Sequence, residues 1–217
     1  MRYTFSLLIA LLGFTTLALT IQPASAEQST ARLLIIGDSI SAGYGVPLEQ
    51  QWPKMLEQSL QQEVPQIDVI TAAISGDTTS GGRNRLPKLL KEFHPDMVMI
   101  ALGGNDALRG TPLNLVENNL NAMTQMAIDS GAQVLLAGMQ IPPNYGPAYT
   151  ERFRAIYPNI AEQKNTFLIP FFLDKIATVE GMMQADGIHP NASAQPILVQ
   201  HVLDALKPWL AEIKSQK

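Results

Sequence analysis

The sequence contains no cysteine. That excludes disulfides, thiolate metal ligands, a catalytic thiol and a lipid-modified N-terminal cysteine, so any nucleophile must be another side chain. Charge is sparse as well: charged residues are 16% of the chain, and 15 Lys and Arg stand against 19 Asp and Glu, a formal net charge of -4. Such a balance offers no electrostatic footprint for a polyanion, and nucleic acid is not an expected partner. The three histidines are scattered and form no recognised ligand spacing, so neither a metal nor another cofactor is expected. After the N-terminal segment no stretch reaches the roughly 18 consecutive apolar residues of a spanning helix. Linkers rich in Pro, Gly and Ser, charge blocks, internal repeats and low-complexity tracts are also missing, which leaves no place for a domain boundary.

What is present is apolar. Hydrophobic residues make up 46% of 217, ample for one core at a length that favours one domain over two. The first 26 residues stand apart. Met1-Arg2-Tyr3 carries one positive charge, residues 5–21 are apolar apart from a few Thr, Ser and Gly, and Ala24-Ser25-Ala26 supplies the small residues of a cleavage site. This is the pattern of a secretory signal peptide over 1–26, and it predicts an exported, acidic mature chain over 27–217, periplasmic or secreted, monomeric and without stable membrane insertion. A retained membrane anchor is the alternative, because the apolar run lies near the lower limit of a spanning helix.

The mature chain alternates strand and helix signals. Residues 32–37 (RLLIIG), 67–74, 97–102, 133–138 and 167–171 are short apolar runs bounded by turn residues. Between them, 52–62, 79–93, 113–130 and 149–163 place apolar residues at helical spacing, with Gly131 as a C-terminal stop and Pro158 interrupting the fourth pattern. Residues 193–213 form a last amphipathic stretch, expected to bend or break near Pro208. Alternation of this kind predicts an α/β fold, a flavodoxin-like three-layer sandwich. Its five-stranded parallel sheet has helices on both faces and order 2-1-3-4-5.

Ligands of open α/β sheets bind beyond the carboxyl ends of the strands, and four short motifs fall there. Gly37-Asp38-Ser39-Ile40-Ser41 begins where the first strand stops and presents Ser39 as a candidate nucleophile. It is not the G-x-S-x-G elbow of α/β-hydrolases, since Ser41 holds the last glycine's place. Ser75-Gly76-Asp77-Thr78 and Gly103-Gly104-Asn105-Asp106 follow the next two strands, with glycine N–H groups and an asparagine amide suited to a developing oxyanion. Asp186-Gly187-Ile188-His189-Pro190 places a carboxylate three residues before an imidazole, close enough to hold its tautomer. Alone, each motif is an ordinary turn or helix cap; on one sheet edge together they are not ordinary. His94 and His201 read as solvated or core-edge residues. Asn191-Ala192-Ser193 is either a glycosylation sequon or an N-cap of the last helix.

In order along the whole mature chain, these blocks resemble those of the SGNH (GDSL) hydrolase superfamily. Gly43-Tyr44-Gly45, Pro143-Asn144-Tyr145-Gly146, Ala155-Ile156-Tyr157-Pro158 and Gly187-Ile188-His189-Pro190-Asn191 further resemble its secreted bacterial arylesterase/acyl-CoA thioesterase I/lysophospholipase L1 group. The resemblance implies a serine esterase with Ser39 as nucleophile, His189 as general base and acid, and Asp186 as its orienting partner. It implies an oxyanion hole of the Ser39 N–H, the Gly76 N–H and the Asn105 amide. Substrates would be acyl esters, thioesters or lysophospholipids. Asp38 and Asp106 flank these positions and read as supports of loop geometry. Leu108, Ile141 and Pro142, in loops too short to form a lid domain, are candidate acyl-contact residues or simple loop packing. A carbohydrate deacetylase of the same superfamily is the alternative enzyme, and a non-catalytic lipid- or glycan-binding protein is the alternative of another class.

Overall fold

The structure is a computed structural model and describes residues 31–215. The segment read as a signal peptide, 1–26, and the start of the domain at 27 lie outside the described residues. Five parallel strands form one sheet in the order β2-β1-β3-β4-β5: β1 (Ala31–Gly37), β2 (Ile67–Ala73), β3 (Met97–Ala101), β4 (Gln133–Ala137) and β5 (Phe167–Ile169). This is the predicted order. The central strands carry near-continuous apolar runs because helices cover both their faces; Leu33 to Ile36 and the whole of β3 are buried.

The helices are α1 (Trp52–Glu63), α2 (Thr79–Phe93), α3 (Gly104–Leu108), α4 (Leu113–Asp129), α5 (Pro147–Lys164) and α6 (Gln195–Ser215). Among the described residues none is long and apolar enough to cross a membrane. Most expected limits agree within a residue or two, and the differences have local causes. Gly104–Leu108, read as a loop, closes into one helical turn and a little more. The fifth strand stops at Ile169, before Pro170, which has no N–H for the ladder.

Pro158 was expected to interrupt one helix and Pro208 to bend or break another, and both helices are continuous through their prolines. Pro158 lies inside α5 and Pro208 inside α6, each facing solvent. The backbone carbonyl that each proline frees can therefore turn to water, while Phe153, Ile156, Tyr157 and Ile160 on α5, and Val202, Leu206, Trp209 and Leu210 on α6, stay buried. Burial of the apolar face outweighs the lost hydrogen bond.

Register decides where the loops emerge. Gly37 pairs with Ala73 on one side and with Ala101 on the other, so β1, β2 and β3 end level. The three segments that follow leave the same edge together.

Candidate active site

Residue 39 sits directly past β1, on a turn held by the Ala42 N–H donating to the Asp38 carbonyl at 2.8 Å and the Tyr44 N–H to the Ser39 carbonyl at 3.0 Å. Beside it, the β2 loop is fixed by Arg85 of α2. Its guanidinium donates to Asp77 Oδ2 at 2.8 Å, the Ala72 carbonyl at 2.7 Å and the Gly37 carbonyl at 3.2 Å, stitching the ends of β1 and β2 together. The β3 loop turns through Gly103, whose φ of 119° and contact with the Tyr157 hydroxyl leave no room for a Cβ.

The loop between β5 and α6 brings the fourth motif to this edge. His189 Nε2 lies 2.9 Å from Ser39 Oγ, and His189 Nδ1 lies 2.7 Å from Asp186 Oδ2. The other oxygen, Asp186 Oδ1, accepts from the backbone N–H groups of Ile188 at 2.9 Å and His189 at 3.0 Å. The motif is thus both an Asx-type turn and a carboxylate–imidazole pair. The backbone N–H and the ring of His189, with the Ile188 N–H, hold the Asp186 carboxyl at about 2, so it is ionised at neutral pH. With Asp186 accepting at Nδ1, the neutral ring presents Nε2 to Ser39 as a proton acceptor.

Among the described residues, neither the Ser39 N–H nor the Gly76 N–H has an acceptor. Arg109 donates to the Gly76 carbonyl at 3.1 Å and so fixes the orientation of that turn. The Asn105 amide stands beside them, but both its hydrogens are used: Nδ2 donates to the Asp77 carbonyl at 2.9 Å and to Asp38 Oδ2 at 3.3 Å.

Asp38 and Asp106 do support the loops. Asp106 accepts from the Thr79 N–H and hydroxyl, each at 2.8 Å, and closes the start of α2. Asp38 is only 3% exposed and accepts from the Ile40 N–H at 3.0 Å. Burial pushes its carboxyl up to about 6. A carboxyl raised in this way stabilises the fold below about pH 4, and that contribution is lost as the pH climbs through 6, because the unfolded chain ionises first. Asp38→Asn, which does not titrate, should therefore gain on the native protein by about 2 kcal/mol between pH 4 and pH 7, since the slope of 1.36 kcal/mol per pH unit holds only between the unfolded and folded pKa values. Urea unfolding of both proteins at the two pH values checks this; a difference in stability independent of pH would refute it.

Of the candidate acyl-contact residues, Leu108 ends α3 half-buried, its carbonyl 3.4 Å from the Tyr145 hydroxyl. Ile141 packs against the core, and Pro142 is exposed at the start of a short 3-10 turn. His94 caps α2 in the left-handed region, and His201 Nδ1 lies 3.1 Å from the Phe172 carbonyl; neither joins the site. Asn191 accepts from the Ser193 N–H at 2.9 Å as an N-cap. Sequence reasoning gave no role to Arg85, Arg109 or Tyr44. The first two lie outside the motifs and carry no local signal, whereas Tyr44 stood in the Gly43-Tyr44-Gly45 block and packs its ring against that of His189.

Residues 35–195 match the GDSL-like lipase/acylhydrolase family. Esterase TesA of Pseudomonas aeruginosa is 48% identical over 202 residues, which cover 93% of this chain and 98% of that protein. The thioesterase 1/protease 1/lysophospholipase L1 of Escherichia coli is 40% identical over 88% of each chain. The crystal structure of the psychrotrophic esterase EstA from Pseudoalteromonas sp., inhibited by monoethylphosphonate, superposes with a TM-score of 0.79 at 39% identity, covering 83% of this chain and 98% of that one.

Proposed function

This chain belongs to the GDSL-like lipase/acylhydrolase family, and we propose that it is an exported serine esterase that hydrolyses acyl esters, thioesters and lysophospholipids through an acyl-enzyme. The observation that carries the proposal is the unbroken run of contacts from Asp186 through His189 to Ser39 Oγ, 2.7 Å and 2.9 Å long. Relatives named as an esterase and as a thioesterase and lysophospholipase support the substrate class.

Ser39 Oγ adds to the acyl carbonyl carbon while its proton passes to His189 Nε2, and the ionised Asp186 steadies the imidazolium through Nδ1. The carbonyl oxygen becomes an oxyanion facing the Ser39 and Gly76 N–H groups and the Asn105 amide. The C–O or C–S bond then breaks, His189 gives its proton to the departing oxygen or sulfur, and Ser39 is left acylated. A water molecule repeats the sequence: its proton goes to His189, its oxygen to the acyl carbon, and the carboxylic acid leaves as Ser39 is reprotonated.

An acyl chain bound in an open groove is recognised by burial, at about 0.8 kcal/mol per methylene, with few demands on the leaving group. On the mature protein, whose intact mass should begin at Glu27, kcat/KM measured from C2 to C16 p-nitrophenyl esters and matching acyl-CoAs should rise from acetyl toward medium chains. Esters and thioesters should react alike, with no lag requiring a lipid interface. A sharp optimum at acetyl with no thioesterase activity would refute this and favour a carbohydrate deacetylase.

A further inference from the structure

Asp186 lies in the same loop as His189, three residues away, so their contact orients the ring within that loop. It does not set the distance from the loop to Ser39, which is 150 residues away along the chain. The Gln184 side chain spans that gap with hydrogen bonds to both loops. Gln184 Nε2 donates to the Tyr44 carbonyl at 2.7 Å, on the serine side, and to the Pro190 carbonyl at 3.1 Å, on the histidine side. The backbone N–H of Gln184 donates to the His189 carbonyl at 2.8 Å, and that of Tyr44 to the Ser39 carbonyl at 3.0 Å. Hydrogen bonds therefore run from Ser39 to Tyr44, Gln184 and His189 and return to Ser39 through Nε2.

Two further features fit this circuit. The Tyr44 ring lies on the His189 imidazole, centroids 4.6 Å apart and planes tilted by 41°. Gly45 has φ 71°, and a Cβ there would overlap the Gln184 amide. Deeper down, buried Gln195 accepts from the Trp52 N–H at 3.0 Å and donates to the Asn191 carbonyl at 3.0 Å, with a longer contact of 3.5 Å to the Pro190 carbonyl, which anchors the base of the histidine loop to α1.

We infer that Gln184 is a positioning residue that sets the Ser39 Oγ to His189 Nε2 separation by tying the serine loop to the histidine loop. The inference rests on the triad proposed above. Its chemistry is specific: one amide nitrogen offers two hydrogens to two carbonyls. A carboxylate of the same shape has no hydrogen to give, and methionine has the length without a donor.

The test compares Gln184→Met and Gln184→Glu with the native enzyme on a p-nitrophenyl ester. Because misplacement by about 1 Å costs on the order of 10²-fold, kcat should fall by roughly 10- to 100-fold with KM within about twofold. A second measurement separates positioning from general support of the fold. In a His189→Ala background, where there is no base left to place, Gln184→Met should cost nothing more, so the two losses should not multiply. An unchanged kcat, an effect confined to KM, a fall in Tm without a fall in kcat, or a full multiplicative loss in the His189→Ala background would each overturn the inference. A Ser39→Ala control keeps the two readings apart: activity surviving there defeats the serine mechanism, while an inactive Ser39→Ala beside a fully active Gln184→Met defeats only the role of Gln184.

Discussion

Ser39→Ala should lower ester hydrolysis by about 10⁴- to 10⁶-fold while the protein folds normally, as loss of the nucleophile does in other serine hydrolases. The fold is expected to survive because Ser39 lies past the end of β1, outside the apolar core, and its hydroxyl bonds only to His189 among the described residues. The neighbouring serine makes the test sharp. Ser41 is 1% exposed, and its Oγ has no hydrogen-bond partner among the described residues, so it has neither a base nor access to substrate. An organophosphonate should therefore add a single adduct that peptide mapping places on Ser39, and Ser39→Ala should take no label. Label on Ser41, or turnover preserved in Ser39→Ala, would sink the assignment.

Asn105→Ala should lower kcat by roughly 10²- to 10³-fold with a much smaller change in KM, the signature of a donor that binds the oxyanion better than the ground-state carbonyl. The structure adds a refinement. Both Asn105 amide hydrogens are engaged, and the contact to Asp38 Oδ2, at 3.3 Å, is longer than the 2.9 Å contact to the Asp77 carbonyl. The hydrogen facing Asp38 is the one more readily given up to an oxyanion. Asn105→Asp should be at least as damaging as alanine, because it puts a second carboxylate beside Asp38 where negative charge develops. Steady-state kinetics on one ester decides the matter: a loss in KM alone would make Asn105 a substrate-binding residue.

The sequence by itself determined most of the strands and helices and the four motifs that follow strands, because these rest on short-range signals. The order 2-1-3-4-5 was the expectation for such an alternation and the register bears it out, while the roles of the site residues came from the family resemblance. A run such as RLLIIG reads as a buried strand wherever it occurs, and a carboxylate three residues before an imidazole can reach it whatever the rest of the chain does. Local rules failed where burial overruled them: the helices that Pro158 was expected to interrupt and Pro208 to bend or break run on unbroken through both prolines, and Gly104–Leu108 was taken for a loop.

Only the tertiary structure decided the distances between loops. Ser39 and His189 are 150 residues apart and Gln184 and Tyr44 are 140 apart, and no periodicity or spacing relates such pairs. The same holds for Arg85 at the ends of β1 and β2, and for Asp38, whose raised pKa comes from burial that no turn motif reveals. The physical reason is the range of the forces involved. Helix, strand and turn preferences act over a few residues and can be read along the chain, whereas the separation of two loop tips and the dielectric around a carboxyl depend on how the whole sheet and its helices pack.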